Sequence, residues 1–465
     1  MPVEERAGEE QAVPDTTTPD TERKQGLYLG WQDTIATMAR ADADLRFTTI
    51  AHHLTPETLE AAFRRLNANA APGPDGVTYA DYAEGLDSRL DDLWDRMARG
   101  SYRASPARRV LIPKPNGKMR PLGIANVEDR VVQTAISMAL EPIYEQDFLD
   151  FSHGFRRGRS TKGAVEELKQ TIDEGWTTVV FEADIKGFFD NLDHGWLRKF
   201  LGHRVADSGL MRLIGKVLKS GVVEDGRVTR SKKGAPQGGP LSPLLANIYL
   251  HYVLDLWFDR RFRRSCEGRA HMVRYADDFV VCFERREDPE RLRHELEARL
   301  AVFELELESD KTRLIEFNPR ARPPGRGAKS GGQTFDFLGF THYLRERRRR
   351  RRVAHLPSRK SRLRFLREVK AWLRKQMHAN PWMHQKVLTQ KLLGFYQYFG
   401  LRYCKPYLRT VHMLVERYWL RTLQRRSQRG RKLTWTKVKR KPWFRLPEPK
   451  LRARRKRRRS RKAPS

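Results

Sequence analysis

The stretch "HMVRYADDFVVCFE", residues 271–284, decides the reading of this chain. Met272 to Tyr275 and Phe279 to Phe283 have the β-branched and aromatic character of strands, and Ala276, Asp277 and Asp278 stand where a hairpin turns. A tight turn there lifts both aspartates to an exposed tip. Adjacent carboxylates repel and raise one another's pKa unless a cation intervenes, and a divalent ion is the natural occupant. A lone Asp-Asp pair between strands is more often only a polar turn. The reading therefore depends on what else the chain supplies.

It supplies a third acid. In "TTVVFEADIKGFFDNLDH", residues 177–194, a β-branched strand ends at Asp184, a turn follows, and a helix begins near His194. Two-metal phosphoryl transfer needs carboxylates from separate elements holding two Mg²⁺ about 3.5–4 Å apart, one activating the attacking 3′-hydroxyl and the other steadying the leaving pyrophosphate. Two or three aspartates suffice, because Mg²⁺ keeps waters and takes further ligands from substrate phosphates.

The bulk numbers agree with a phosphate-rich partner. The 465 residues carry 92 Lys and Arg against 57 Asp and Glu, a formal charge of +35, and 10% aromatic residues interleave with the arginines of the C-terminal third. That combination suits gripping phosphates and stacking on bases. No stretch reaches the roughly 18 apolar residues of a membrane span, so no membrane partner is expected. Cys266, Cys282 and Cys404 form no CxxC pair, which predicts neither a disulfide framework nor a structural zinc site and suits a reducing, cytoplasmic setting. The acidic N-terminus lacks the apolar core of a secretory signal.

The organisation reads as several units. Residues 1–26 read as a disordered acidic tail. From 27 to 345, amphipathic helices give way to short strands alternating with helices, an α+β catalytic unit. Residues 346–355 read as an Arg-rich linker, and 356–435 as a basic helical domain in which Leu366, Val369, Trp372 and Leu373 share one face. Residues 436–465 read as a polycationic tail.

With these pieces in place, the chain resembles the group II intron-encoded reverse transcriptases, or maturases. "YADD", "FEADIKGFFDNLDH" and "GAPQGGPLSPLLANIYL" look like the palm motifs of that family. "RRVLIPKPNGKMRPLGIANVEDRVVQ", "SHGFRRGRSTKGAV", "ELESDKTRLIEF", "FDFLGF" and "LLGFYQYFGLRYC" match its other blocks in order. The resemblance covers roughly 30 to 430. It implies right-hand polymerase fingers and palm, with an antiparallel palm sheet, followed by a helical thumb and maturase domain. No cysteine follows Cys404, so the paired-cysteine nuclease of larger family members is not expected.

The resemblance also implies roles. Asp184, Asp277 and Asp278 fall on the metal-binding triad. Lys114 and Arg120 match the finger residues that hold the incoming triphosphate. If Asn116, Gly117 and Lys118 form a three-residue loop, residue 114 lies directly opposite 120; a two-residue loop puts them on opposite faces. Gln237 matches a glutamine near the nucleotide sugar and template, with Gly238 and Gly239 allowing close backbone approach. Phe189 occupies the position whose ring sits under the sugar and excludes a 2′-hydroxyl, with Phe188 as the alternative. Lys311 matches a lysine proposed to protonate the departing pyrophosphate, and it also reads as a surface cation. The aromatics of "FDFLGF" either grip the primer or pack the hairpin onto the palm.

The expected activity is RNA-directed DNA synthesis on template–primer with dNTPs and two Mg²⁺, by a protein that binds group II intron RNA, assists its splicing and copies it during retrohoming. The alternatives are a related reverse transcriptase serving defence or CRISPR spacer acquisition, and an RNA-folding cofactor without polymerase activity. Whether the protein is a monomer or a homodimer is open.

Overall fold

The computed structural model describes residues 30–113, 119–224, 226–229, 233–235, 238–320, 333–347 and 350–451. The acidic tail, Lys114, Gln237 and the last 14 residues, 452–465, lie outside the described residues. The chain forms two compact units: Met1–Thr171 with Trp176–Glu316, and Ile172–Gly175 with Phe317–Ser465.

The first unit is mixed α and β. Its central sheet has the order β6-β7-β3-β8, built from β3 (Val179–Asp184), β6 (Ala270–Tyr275), β7 (Asp278–Phe283) and β8 (Arg313–Glu316), all antiparallel. Successive side chains of a strand point to opposite faces. One face carries Phe181, Ala183, Met272, Phe279, Val281 and Phe283, which join the main core with the buried face of the Val127–Asp147 helix. The other face carries Asp184, Asp278 and Tyr275 in register. A second sheet, order β2-β1-β4-β5, contains β1 (Ala107–Pro113), β2 (Met119–Ile124), β4 (Val222–Glu224) and β5 (Arg227–Thr229).

The long helical stretch after the Ser242–Leu250 helix contains two π-helical turns, His251–Asp255 and Phe258–Phe262. Such turns add a residue and re-aim side chains, often at functional positions. Here the first one presents Asp255, which is fully buried.

The second unit opens with a three-stranded sheet, order β11-β10-β9: β9 (Phe335–Phe337), β10 (Phe340–Arg347) and β11 (Arg350–Pro357). Leu338 and Gly339 join β9 to β10, both at positive φ as a type I′ hairpin turn demands. Three helices follow, Arg359–Lys375, Pro381–Phe399 and Lys405–Arg425. Leu366, Val369 and Leu373 are buried as their spacing predicts, while Trp372 is half-buried against His384.

Three expectations change. The compact units divide at Glu316 rather than 345, because β9 and β10 pair within the helical unit. Residues 350–355, expected in a linker, form β11, since Val353, Ala354 and His355 are buried and Val353 N–H donates to Asp173 Oδ1 at 2.9 Å. The expected tail is structured up to 451, because Val438 and Phe444 are buried and Phe444 stacks on Trp419 at 4.5 Å.

Candidate active site

The β6–β7 hairpin closes through a two-residue loop, Ala276–Asp277, with Asp278 as the first residue of β7. Ala276 takes the positive φ, 56°, that such mirror-image turns require. Strand β3 pairs with β7 from Val179↔Phe283 to Asp184↔Asp278, so two acids from separate strands stand directly opposite, with Asp277 beside them. In a directly opposed antiparallel pair the Cβ atoms lie about 4.5–5.5 Å apart. The isolated hairpin predicts aspartates at an exposed tip, but in the fold they are half-buried. The cause is the segment before Phe155: a Cβ added to Gly154 would lie 2.4 Å from Ala276 N, so this backbone presses on the turn.

The electrostatics follow from crowding. Burial, then the Asp184 charge, pushes the Asp277 carboxyl up to about 6, while Lys311 and Arg120 pull it down. Burial, then Asp184, Asp277 and Glu182, holds Asp278 well above the usual carboxylate range. The Lys311 ammonium contacts the Asp184 carboxylate. Burial lowers the Lys311 pKa, but that hydrogen bond and the three aspartate charges outweigh it, so the net shift is upward. The backbone delivers this lysine: Glu308 N–H donates to Asp184 O at 2.8 Å, and Lys311 N–H to Glu308 O at 3.0 Å.

Three crowded carboxylates, those of Asp184, Asp277 and Asp278, are the hard oxygen donors Mg²⁺ takes. Among the described residues no group of three or more His, Cys, Asp or Glu side chains is arranged to hold a metal ion.

The structure separates the two phenylalanines. Phe188 is 1% exposed and packs edge-on against Tyr249 at 6.1 Å, a core role. Phe189 is half-buried on the rim of the core, and its carbonyl accepts from Ala235 N–H at 2.9 Å. That bond, with Gly234 N–H to Leu192 O at 2.7 Å, pins the start of the "GAPQGG" segment beside the site. Beyond it, Gly238 has φ +107°, and a Cβ there would lie 2.8 Å from the Leu122 side chain and 3.0 Å from Gly123 O, so this glycine is required by its conformation and by close approach to β2; one on Gly239 would meet the movable end of the Gln133 side chain, at 2.4 Å.

The finger hairpin follows neither the two- nor the three-residue loop. Arg120 pairs with Ile112 and Met119 with Pro113, leaving five residues, 114–118, between the strands, so residue 114 is not the partner of 120. Arg120 is exposed and its charge reaches Asp277. In the second unit, Phe335, Phe337 and Phe340 are buried, and Phe340 packs on Tyr398 at 5.9 Å and Phe399 at 5.0 Å within that unit.

Two residues escaped the sequence reading. Arg274 is fully buried at a core-facing strand position and ion-paired to Asp255. The signal was present: alternation from Met272 places an arginine where an apolar residue belongs. Phe155 is 44% exposed at φ 56°, 6.2 Å from the Tyr275 ring. No local pattern announces that backbone conformation.

Acids paired across two palm strands, a basic finger strand and a following helical unit define a right-hand nucleic-acid polymerase. The family model for reverse transcriptase (RNA-dependent DNA polymerase) matches residues 112–342. Protein YkfC of Escherichia coli K12 is 37% identical over 321 residues, 62% of this chain and 84% of that protein. The group II intron-encoded protein LtrA of Lactococcus lactis is 38% identical over 235 residues, 49% of this chain and 39% of LtrA. A putative COX1/OXI3 intron 1 protein of Saccharomyces cerevisiae is 32% identical over 219 residues, 46% of this chain and 25% of that protein. The chain belongs to the reverse transcriptase family, and group II intron-encoded proteins are among its relatives. It spans well under half the length of those intron-encoded relatives. No helix among the described residues is long and apolar enough to cross a membrane.

Proposed function

We propose that this chain is an RNA-directed DNA polymerase that extends a primer 3′-hydroxyl with dNTPs on an RNA template, and that group II intron RNA is its cognate substrate, bound for splicing and copied during retrohoming. The observation that carries the polymerase reading is the direct pairing of Asp184 with Asp278 beside the Ala276–Asp277 turn. Asp184, Asp277 and Asp278 would hold two Mg²⁺, which supply charge stabilisation for the attacking and leaving oxygens. Arg120, close enough to lower the Asp277 pKa, suits a triphosphate on the finger side. Lys114 and Gln237 are assigned to the nucleotide by the family resemblance alone. Lys311 sits where a cation can face both the acids and a departing pyrophosphate, in keeping with a general acid.

The intron reading draws on the intron-encoded relatives and on the basic helical unit, whose net positive charge attracts phosphate backbones. Primer extension on an RNA template with dNTPs and Mg²⁺ tests the polymerase. Wild type makes cDNA and Asp277→Asn loses at least 100-fold in rate. A wild type that makes no cDNA with any divalent metal overturns the reading.

A further inference from the structure

We propose that Arg274 is a positioning residue that sets the catalytic hairpin, a role that rests on the polymerase reading above. Arg274 is 0% exposed and lies on the core face of β6, directly beneath the turn. A guanidinium has five N–H donors in a fixed planar fork. All five are used. Nε donates to Asp255 Oδ1 at 2.7 Å, and Nη2 to Asp255 Oδ2 at 2.5 Å and to Ser152 Oγ at 2.7 Å. Nη1 donates to Asn247 Oδ1 at 3.1 Å and to the Ala276 carbonyl at 3.0 Å.

The five acceptors come from four places: the π-helical turn bearing Asp255, the Ser242–Leu250 helix bearing Asn247, the Ser152 segment, and the hairpin loop itself. Asn247 closes the ring by donating from Nδ2 to Gly154 O at 2.6 Å, and Gly154 is the residue whose backbone presses on Ala276 N. The backbone on both sides of Arg274 is held too: its N–H donates to Phe151 O and its carbonyl accepts from His153 N–H, each at 2.8 Å. Three elements of the core therefore converge through one side chain on the carbonyl of Ala276, the residue before Asp277.

A buried ion pair is weak evidence for stability, since well-packed apolar residues often replace it at no cost. What an apolar pair cannot replace is the hydrogen bond to the loop carbonyl, and a displacement of about 1 Å in a reacting group costs on the order of 100-fold in rate. The fork thus fixes the loop so that Asp277 and Asp278 meet Asp184.

The test is steady-state primer extension by full-length wild type, the double variant Arg274→Met/Asp255→Leu, and Arg274→Lys, with thermal melts of each. Lysine keeps a charge for Asp255 but, with three donors in all, has too few for Ser152, Asn247 and Ala276 as well. The expected result for each folded variant is a kcat at least 30-fold lower, dNTP KM and template–primer Kd within threefold, and a higher Mg²⁺ requirement. A purely structural role predicts wild-type kcat at temperatures well below the melt, and that outcome overturns the proposal. If the double variant does not fold, Arg274→Lys decides on the same criterion. If wild type itself makes no cDNA, the polymerase reading fails separately, and amide hydrogen exchange decides the inference: it must rise at residues 275–278 of Arg274→Lys while 179–183 stay protected, and unchanged exchange at 275–278 overturns it.

Discussion

At the scale of single residues, adjacent side chains of like chemistry take unlike roles, and Phe188 and Phe189 show how to separate them. Phe188 is enclosed by Phe189 and Tyr249, so Phe188→Ala is expected to cost about 3–5 kcal/mol through reduced burial and a cavity, read as a lower melting temperature. Phe189 is half-buried, and Phe189→Ala is expected to melt within a few degrees of wild type while raising ribonucleotide incorporation at least tenfold in primer extension with mixed rNTPs and dNTPs. Equal sugar selectivity in the two variants would refute the assignment. The doublet reads as two interchangeable rings in the sequence; only the fold says which one faces solvent. The acids were far more legible, because a strand ending in Asp and a turn carrying Asp-Asp need only pair to bring three carboxylates together. Phe155 lay beyond reach, since its left-handed backbone is imposed by tertiary packing. A Cβ in that conformation costs roughly 1–2 kcal/mol, so Phe155→Gly is expected to melt above Phe155→Ala. Coincident melts would show that no strain is stored there.

At the scale of elements, the β10–β11 hairpin shows why its sequence misleads. The arginines around 350 dominate composition and read as a solvated linker, yet alternation continues beneath them and pairs His342 with His355, both buried. His342 stacks on Phe335 at 4.8 Å, and burial, followed by the neighbouring His355 charge, depresses its pKa to about 3. The folded state therefore holds this histidine neutral, whereas an unfolded histidine protonates near 6.5. The stability it contributes is fully present above pH 6.5 and is lost as pH falls from 6.5 toward 3, by at most about 1.4 kcal/mol per pH unit. From pH 7.5 to 5.0 this amounts to about 2 kcal/mol at most from His342. Thermal melts at those two pH values are expected to show a larger drop for wild type than for His342→Leu, which has no proton to gain. Identical drops would assign the acid sensitivity to other groups, such as His251, whose pKa burial also lowers to about 3.

At the scale of the whole molecule, charge sets the terms of partnership. A formal +35 is far beyond what solubility needs and acts as a sequence-independent attraction for phosphate backbones. Much of it lies on the helical unit, where the Arg359–Lys375 helix buries Leu366, Val369 and Leu373 and leaves Arg364, Arg367 and Lys370 in solvent. Exposed Trp382, at 54%, adds a ring for stacking. This division was legible from sequence, because a 3.6-residue apolar period leaves basic residues on the remaining faces. Binding through cations releases condensed counterions, so log Kd changes linearly with log salt, and gripping six to ten phosphates costs about 10³- to 10⁵-fold in affinity between 50 and 200 mM salt. Template–primer affinity measured over that range is expected to fall by at least 10³-fold. Replacing Arg364, Arg367 and Lys370 by Gln is expected to weaken binding equally for unrelated RNA sequences, to flatten the salt slope by about one for each phosphate that the variant no longer neutralises, and to leave the extension rate at saturating template–primer unchanged. A salt slope that stays the same in the triple variant would remove that face from the RNA interface and move the search to the other basic surfaces of the helical unit.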